Sequence, residues 1–173
     1  MISRRHLLAT VIALPFARLA HAQVTCGQIT PRETEGPFFK TNTPQRVSFT
    51  NAPTLIVTGQ VLTRDCKPVK GALLDFWHAD EHGEYDNRGY RYRGHQFSDA
   101  DGRYRLETIV PAVYPGRTRH IHVRVQPPGG GVLTTQLYFP DQPGNSRDGL
   151  FRDDLVMRMA DRAQGAFDFV VAA

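Results

Sequence analysis

The fold is decided most clearly by residues 119–139, whose sequence is RHIHVRVQPPGGGVLTTQLYF. Residues 119–126 and 132–139 are rich in β-branched and aromatic residues, which favour strands. The PPGGG segment between them cannot extend either strand, because proline lacks an amide proton and glycine weakens a strand. This stretch therefore predicts two strands joined by a turn.

Further β-rich runs of similar length occur on both sides of this stretch and are bounded by turn residues. They lie at residues 54–62, 72–77, 102–109 and 166–171. Short strands at this spacing are typical of a β-sandwich. The one helix that we predict covers residues 152–162, where Leu155 and Met159 are four residues apart and two aspartates suit the first turn. We therefore expect an all-β, single-domain sandwich with long loops and one short C-terminal helix.

Length and composition agree with one domain. The chain has 173 residues, of which 40% are apolar and 22% charged, and this is enough apolar side-chain surface for one ordinary core. Residues 23–53 are polar and interrupted by prolines, so we expect an N-terminal arm that lies over a β-sandwich domain of residues 54–173.

The first 22 residues have the pattern of a cleavable export signal: Arg4 and Arg5, an apolar run over 7–17, and Ala20-His21-Ala22 before the cleavage site. The paired arginines resemble the twin-arginine export motif, and a general secretory signal is the alternative. The apolar run is shorter than the roughly 20 residues that span a bilayer, so we expect no membrane anchor. The sequence thus predicts a periplasmic or secreted protein.

Cleavage after Ala22 removes three arginines and no acid, which lowers the formal net charge from +4 to +1. This balance, without clustered basic residues, predicts no nucleic-acid partner. Cys26 and Cys66 both follow the signal, and an oxidising compartment permits a disulfide between them. Two unpaired thiols remain the alternative, because sequence does not give their separation.

The sharpest chemical feature is His120-Ile121-His122. Residues i and i+2 of a strand point to the same face, so both imidazoles project together while Ile121 enters the other layer. Two converging imidazoles suit a transition metal. A competing zinc or copper set consists of His78 and His82 with Asp80.

Five segments together resemble the intradiol ring-cleavage dioxygenases, and the nearer likeness is to the catalytic (beta) subunits of protocatechuate 3,4-dioxygenases. The segments are Thr30–Phe39, Trp77 with Gly83-Glu84-Tyr85, Ser98–Tyr104, Pro111–His122 and Thr135–Phe139. The likeness spans nearly all of the chain after the signal.

The resemblance implies one Fe(III) per chain, held by the phenolates of Tyr85 and Tyr114 and the imidazoles of His120 and His122. It also implies that Tyr114 leaves the iron as substrate binds and accepts a proton. Arg117 matches the arginine that stabilises charge beside the substrate, and Gln136 matches a glutamine near that arginine. A trivalent cation favours the deprotonated phenol, which supports this ligand set.

The implied reaction is cleavage of a catechol or protocatechuate-type diol by O₂ to a cis,cis-muconate-type diacid. The expected partners are therefore the catecholic substrate and O₂, and the sequence leaves a homo-oligomer or a monomer open. Residues 86–96 are rich in arginine and tyrosine and either favour a carboxylated catechol or form a solvated loop. The rival hypothesis is an exported transthyretin-like binding module without a catalytic metal, since several turn segments resemble such sandwiches.

Overall fold

A computed structural model describes residues 26–173, so the predicted export signal lies outside the described residues. Nine strands and two single-turn 3₁₀ helices, Asn145–Arg147 and Asp153–Leu155, lie in this range. The strands are β1 Leu55–Thr63, β2 Leu73–Trp77, β3 Arg93–Phe97, β4 Arg103–Thr108, β5 His120–Gln126, β6 Leu133–Tyr138, β7 Arg158–Met159, β8 Gln164–Ala166 and β9 Phe169–Val171. Within the described range, no helix is long and apolar enough to cross a membrane.

The strands form two sheets. One has the order β4-β1-β8-β7, and β9 also pairs with β1; the other has the order β3-β2-β5-β6. Strand β1 is paired antiparallel with β4 and parallel with both β8 and β9. This architecture confirms the predicted all-β sandwich.

One hydrophobic core lies between the two sheets. Side chains alternate along each strand, so Ile121, Val123 and Leu137 of the four-stranded sheet meet Val57 and Leu106 of the other. All five are completely buried. The alternate positions of the four-stranded sheet therefore point away from the core, and this outer face carries the polar side chains described below.

The stretch 119–139 forms the predicted pair of strands. β5 and β6 are antiparallel, with His122 opposite Gln136 and His120 opposite Tyr138. The amide of Gly130 donates to the carbonyl of Pro127 (3.0 Å), which closes the turn between the strands. The other predicted strands at 54–62, 72–77 and 102–109 are also present.

The predicted helix at 152–162 is wrong. Only one 3₁₀ turn forms there, followed by β7, whose Arg158 pairs with Ala166 of β8. Leu155 and Met157 are buried and the residues between and after them are not, which is the period of a strand. The amide of Met157 donates to the carbonyl of Tyr138 (2.9 Å), so sheet contacts outweigh a helical preference too short to form alone.

Strand β3 was not among the predicted strands, and a solvated loop was one of the two alternatives for residues 86–96. Arg93–Phe97 has no apolar alternation, yet it pairs with all of β2. Residues of the arm cover this edge: the amide of Arg46 donates to the carbonyl of His95 (2.9 Å), and the amide of His95 donates to Pro44 (3.0 Å). The expected last strand at 166–171 is present as two short strands, β8 and β9.

The arm contacts both sheets. The amide of Thr30 donates to Val170 in β9, and the amide of Glu33 donates to Thr134 in β6, both at 2.9 Å. A disulfide joins Cys26 to Cys66, which are 40 residues apart in sequence and 5.5 Å apart at Cα. Of the two alternatives for the cysteines, the structure therefore contains the bridge.

Candidate metal centre

The candidate site lies on the outer face of the four-stranded sheet. Four side chains occupy one row across its strands, because each is directly opposite the next in the antiparallel register. They are Arg93 of β3, Trp77 of β2, His122 of β5 and Gln136 of β6. His120 lies two residues before His122 on the same face, as the His-Ile-His pattern predicted.

The two imidazoles converge. Nε2 of His120 lies 3.1 Å from Nε2 of His122. Nδ1 of His120 donates to the carbonyl of Thr118 (2.7 Å), so the lone pair of a neutral ring is on Nε2. Burial lowers the pKa of His120 to about 4, and burial beside His120 holds the pKa of His122 well below its usual value. Both rings are therefore neutral at pH 7, which is the form that binds metals.

His122 is held by packing. Its ring stacks on the indole of Trp77, with centroids 4.8 Å apart and planes 7° apart. Its Nδ1 is buried and has no hydrogen-bond partner among residues 26–173. The stacking fixes the plane of the ring and keeps Nε2 directed at His120.

Tyr85 brings an oxygen to the same point. Its hydroxyl lies 3.2 Å from Nε2 of His120. Burial raises the pKa of this phenol, although the guanidinium groups of Arg117 and Arg93 oppose the shift. Phe38 of the arm stacks on the Tyr85 ring, with centroids 4.3 Å apart, and so covers it from the side away from the sheet.

Tyr114 lies beside Tyr85. Its half-buried ring makes edge contacts with Tyr85 (centroids 5.7 Å apart) and with Phe38 (5.3 Å). Its hydroxyl forms no hydrogen bond with any residue of the described range. The structure therefore places Tyr85, Tyr114, His120 and His122 together, with three of the four polar groups within 3.2 Å of a neighbour.

Contacts between two loops position the tyrosines. Gly83 has φ +84°, and a Cβ atom at this position would lie 2.4 Å from the carbonyl oxygen of Val113. The amide of Ala112 also donates to the carbonyl of Asp80 (2.9 Å). The loop that carries Tyr85 therefore lies directly on the loop that carries Tyr114.

The donor set suits a ferric ion. The Nε2 atoms of two imidazoles face each other, with a phenol oxygen at hydrogen-bond distance from that of His120, in a buried position. A trivalent cation would favour the phenolate form of both tyrosines. No group of three or more His, Cys, Asp or Glu side chains suitable for a metal occurs within residues 26–173, so any site here depends on the tyrosine oxygens.

The competing set of His78, His82 and Asp80 is wrong. His78 donates from Nδ1 to the carbonyl of Ala79 and accepts at Nε2 from the hydroxyl of Thr108, both at 2.7 Å. The Asp80 carboxylate accepts the amides of His82 and Glu84 and pairs with Arg91. His82 is exposed. The side chains of His78 and Asp80 therefore already have partners, and the imidazole of His82 does not converge with them.

Arg117 and Gln136 contact each other, as the resemblance implied. Nη2 of Arg117 donates to Oε1 of Gln136 (2.7 Å), and Nε2 of Gln136 donates to the carbonyl of Thr34 in the arm (3.0 Å). Arg117 also lines a cleft of about 400 Å³ together with Val113, Thr118, Arg147 and Asp148. This cleft adjoins the loop that carries Tyr114.

Sequence reasoning missed three residues of the site. Trp77 was noted as part of a motif without a role, and Phe38 and Asp148 were not singled out for one. Asp148 pairs with Arg117, its Oδ2 lying 2.9 Å from Nε. The i+2 rule identifies neighbours on one strand, but no comparable rule links Arg117 to a carboxylate in a loop 31 residues away.

Several known proteins are similar to this chain in structure or sequence. The dioxygenase domain of a dioxygenase–carbohydrate-binding protein fusion from the cellulolytic bacterium Streptomyces sp. SirexAA-E has a similar structure. Its TM-score is 0.81 at 52% identity, covering 84% of this chain and 99% of that one. Hydroxyquinol 1,2-dioxygenase from Pseudomonas putida DLL-E4 gives a TM-score of 0.76 at 26% identity, over 88% of this chain and 69% of that one.

Curated relatives are similar over part of their length. Protocatechuate 3,4-dioxygenase beta chain from Burkholderia cepacia is 33% identical over 61% of this chain and 56% of its own length. Catechol 1,2-dioxygenase from Acinetobacter baylyi is 29% identical over 66% of this chain and 47% of its own length. The chain thus spans about half the length of these relatives. The family model described as Dioxygenase matches residues 34–173. The chain therefore belongs to the intradiol ring-cleavage dioxygenase family.

Proposed function

We propose that this protein is a non-haem iron(III) dioxygenase that cleaves the ring of a catechol-type diol between its two hydroxylated carbons. Both atoms of O₂ enter the product, a cis,cis-muconate-type diacid. The observation that carries the proposal is the convergence of His120, His122 and Tyr85 beside the ring of Tyr114. Relatives whose names include catechol, chlorocatechol, protocatechuate and hydroxyquinol support this substrate class.

The iron would be held, one per chain, by Tyr85, Tyr114, His120 and His122. Bound there, it would supply Lewis-acid activation of the diol oxygens. Tyr85 is buried under Phe38 and would stay in place as a ligand. Tyr114 is half-buried and its hydroxyl is not hydrogen-bonded to another described residue, so it is the tyrosine suited to move and to accept a substrate proton.

Arg117 would stabilise negative charge that develops on the substrate. Its Nε and Nη2 atoms are engaged by Asp148 and Gln136, which leaves Nη1 for a further acceptor. A preorganised cation in a largely buried site stabilises charge more strongly than one in water. Gln136 would hold the guanidinium in this orientation.

Two of the three arginines in the basic segment 86–96 have partners within the protein. Arg91 is paired with Asp80, and Arg93 is buried and donates to the backbone carbonyls of Phe38 and Asp86. Neither is available for a substrate carboxylate. We therefore assign the substrate as a catechol-type diol and leave its ring substituents open.

The visible spectrum and iron content of the purified protein test this function. We expect about one iron per chain, a red-brown colour from tyrosinate ligation, a shift to longer wavelength with anaerobic catechol, and a ring-opened diacid after O₂ is admitted. A protein that stays colourless after iron reconstitution would contradict the proposal and favour the binding-module hypothesis.

Replacement of the histidines tests the ligand assignment. We expect His120→Ala and His122→Ala each to lose most of the bound iron, because each removes one of two converging nitrogen donors. His82→Ala is the matched control, since His82 is exposed and outside the site. Stoichiometric iron in both site variants would show that the metal binds elsewhere in the protein.

We also propose export, with residues 1–22 as the signal, 23–53 as the arm and 54–173 as the catalytic domain. The Cys26–Cys66 disulfide supports an oxidising destination. Changing Arg4 and Arg5 to lysine should retain the protein inside the cell if the twin-arginine route is used. Unchanged export would indicate the general secretory route, and a wild-type chain that stays in the cytoplasm would refute the proposal.

A further inference from the structure

Asp148 is a buried carboxylate in the loop that follows the first 3₁₀ turn. Its side chain is 3% exposed. Oδ2 accepts the amide of Thr118 (2.8 Å), and Oδ1 accepts the amide of Leu150 (2.9 Å). Nε of Arg117 donates to both oxygens, with distances of 2.9 Å to Oδ2 and 3.1 Å to Oδ1. One carboxylate therefore joins three backbone or side-chain donors from two loops.

These contacts decide how the guanidinium of Arg117 is oriented. Asp148 engages Nε, and Gln136 and Tyr138 engage Nη2 at 2.7 and 3.3 Å. Within residues 26–173, Nη1 makes no hydrogen bond, and it is not among the buried polar atoms that lack a partner. The planar guanidinium is thus held along one edge, and the opposite nitrogen is directed away from that edge.

Asp148 is also linked to His120 through the backbone of Thr118. The carbonyl of Thr118, whose amide donates to Asp148, accepts the Nδ1 proton of His120. Thr118 is buried, and its side-chain hydroxyl donates to Oδ1 of Asn145 (2.7 Å). Movement of Asp148 would therefore disturb both Arg117 and the backbone group that orients His120.

We propose that Asp148 is a positioning residue, which holds the Arg117 guanidinium with Nη1 free for the substrate and holds the amide of Thr118, the residue whose carbonyl orients His120. This inference rests on the proposed function, because it gives Arg117 a role beside the substrate. Hydrogen bonds from Thr118 and Leu150 and the charge of Arg117 outweigh burial and keep the pKa of Asp148 below its usual value. The carboxylate is therefore ionised at neutral pH.

Asp148→Asn tests the proposal with little change of shape. Each carboxylate oxygen accepts a backbone amide, so an asparagine NH₂ group faces a donor whichever way it turns. We expect kcat/KM for catechol to fall about 10- to 100-fold, since small misplacement of a charged group costs rates of this order. The matched control is Asp168→Asn, because Asp168 also accepts a backbone amide, that of Gln60, and an arginine, Arg158, away from the site.

A double-mutant cycle separates positioning from general damage. If Asp148 acts mainly through Arg117, the Asp148→Asn change should cost less than about 3-fold in an Arg117→Gln background. Equal costs in both backgrounds would overturn the inference, as would wild-type kinetics of the single variant. Should Asp148→Asn fail to fold, Arg117→Lys keeps the charge and loses the planar fork, and full activity in that variant would also overturn it.

A readout on the iron-free protein makes the two proposals independent. The Nε–H signal of Arg117 in a ¹H–¹⁵N spectrum, assigned by its loss in Arg117→Gln, should be protected from exchange in the wild type and not in Asp148→Asn. Equal protection of the Nε–H in the wild type and in Asp148→Asn would contradict the positioning role of Asp148, even if the enzyme is active. If the Nε–H signal is protected in a wild-type protein that cleaves no catechol, the contact between Asp148 and Arg117 is supported and the proposed function is refuted.

Discussion

At the scale of single residues, burial sets the protonation state of the histidines on and near the outer sheet face. His78, His120 and His122 are all almost fully buried, and burial lowers the pKa of each. Their environments nevertheless differ. Both nitrogens of His78 have protein partners, whereas the Nε2 atoms of His120 and His122 face each other and Tyr85. This difference separates a structural histidine from a candidate ligand.

Tyr114→Phe should change the colour of the iron-loaded protein and lower kcat for catechol about 100-fold. The substitution removes one phenolate donor and the group that we assign as proton acceptor, and general base groups contribute rates of this order. Tyr90→Phe is the control, because the exposed Tyr90 hydroxyl contacts only the carbonyl of Thr41. An unchanged spectrum and rate would show that Tyr114 is neither an iron ligand nor the proton acceptor.

His78 should make the stability of the protein depend on pH. Burial lowers its pKa to about 4, whereas an unfolded histidine titrates near 6.5. The unfolded chain therefore takes up the proton first, and stability is lost as the pH falls from about 6.5 towards 4. Urea unfolding at pH 7 and pH 5 should show a loss about 2 kcal/mol larger in the wild type than in His78→Gln. Parallel losses would show that His78 titrates normally.

At the scale of elements, the site depends on loops that meet over a rigid sheet. Strands β2 and β5 supply Trp77 and the two histidines, and the loops after β2 and before β5 supply the tyrosines. The close approach of Gly83 to Val113 joins these loops. The distance between the tyrosines therefore depends on one backbone contact as well as on the sheet.

Gly83→Ala should destabilise the protein and weaken iron binding. Its positive φ and the 2.4 Å approach of a Cβ atom to the Val113 carbonyl would force the loops apart. We expect a cost of about 1–3 kcal/mol, measured by urea unfolding, and a lower iron content. Gly131→Ala is the control, since a Cβ there meets no atom within 4 Å. Equal effects of both changes would contradict the role of this contact.

At the scale of the whole molecule, the arm closes the outer face. Phe38 covers Tyr85, the carbonyl of Thr34 orients Gln136, and Arg93 donates to the carbonyl of Phe38. The Cys26–Cys66 disulfide attaches the start of this arm to the turn directly after β1. The arm is therefore part of the site as well as of the fold.

Removal of the disulfide should lower stability by about 2–4 kcal/mol, because the bridge closes a 40-residue separation. Cys26→Ser, Cys66→Ser and the double variant should lose equal amounts in thermal or urea unfolding, since all three break the same bond. Unequal losses, or none, would show that the bridge does not form in solution. Added reductant should lower the stability of the wild type to that of the serine variants, because it breaks the same disulfide.

The sequence by itself determined the parts that follow from local periodicity. Alternation along residues 119–126 predicted a strand with both histidines on one face. The family resemblance, and not periodicity, implied that Tyr85 and Tyr114 join them. The predicted helix at 152–162 was wrong and strand β3 was not predicted, because sheet pairing with distant strands outweighed weak local preferences. Strand spacing likewise predicted a sandwich.

Only the tertiary structure decided which side chains meet across long sequence separations. It brought Asp148 to Arg117, Phe38 to Tyr85 and Val113 to Gly83, and it gave both nitrogens of His78 protein partners. Such contacts depend on how loops close over the sheet, and no local pattern encodes that closure. The physical reason is that strand periodicity acts between near neighbours, whereas burial and hydrogen-bond partners depend on the packing of the whole chain.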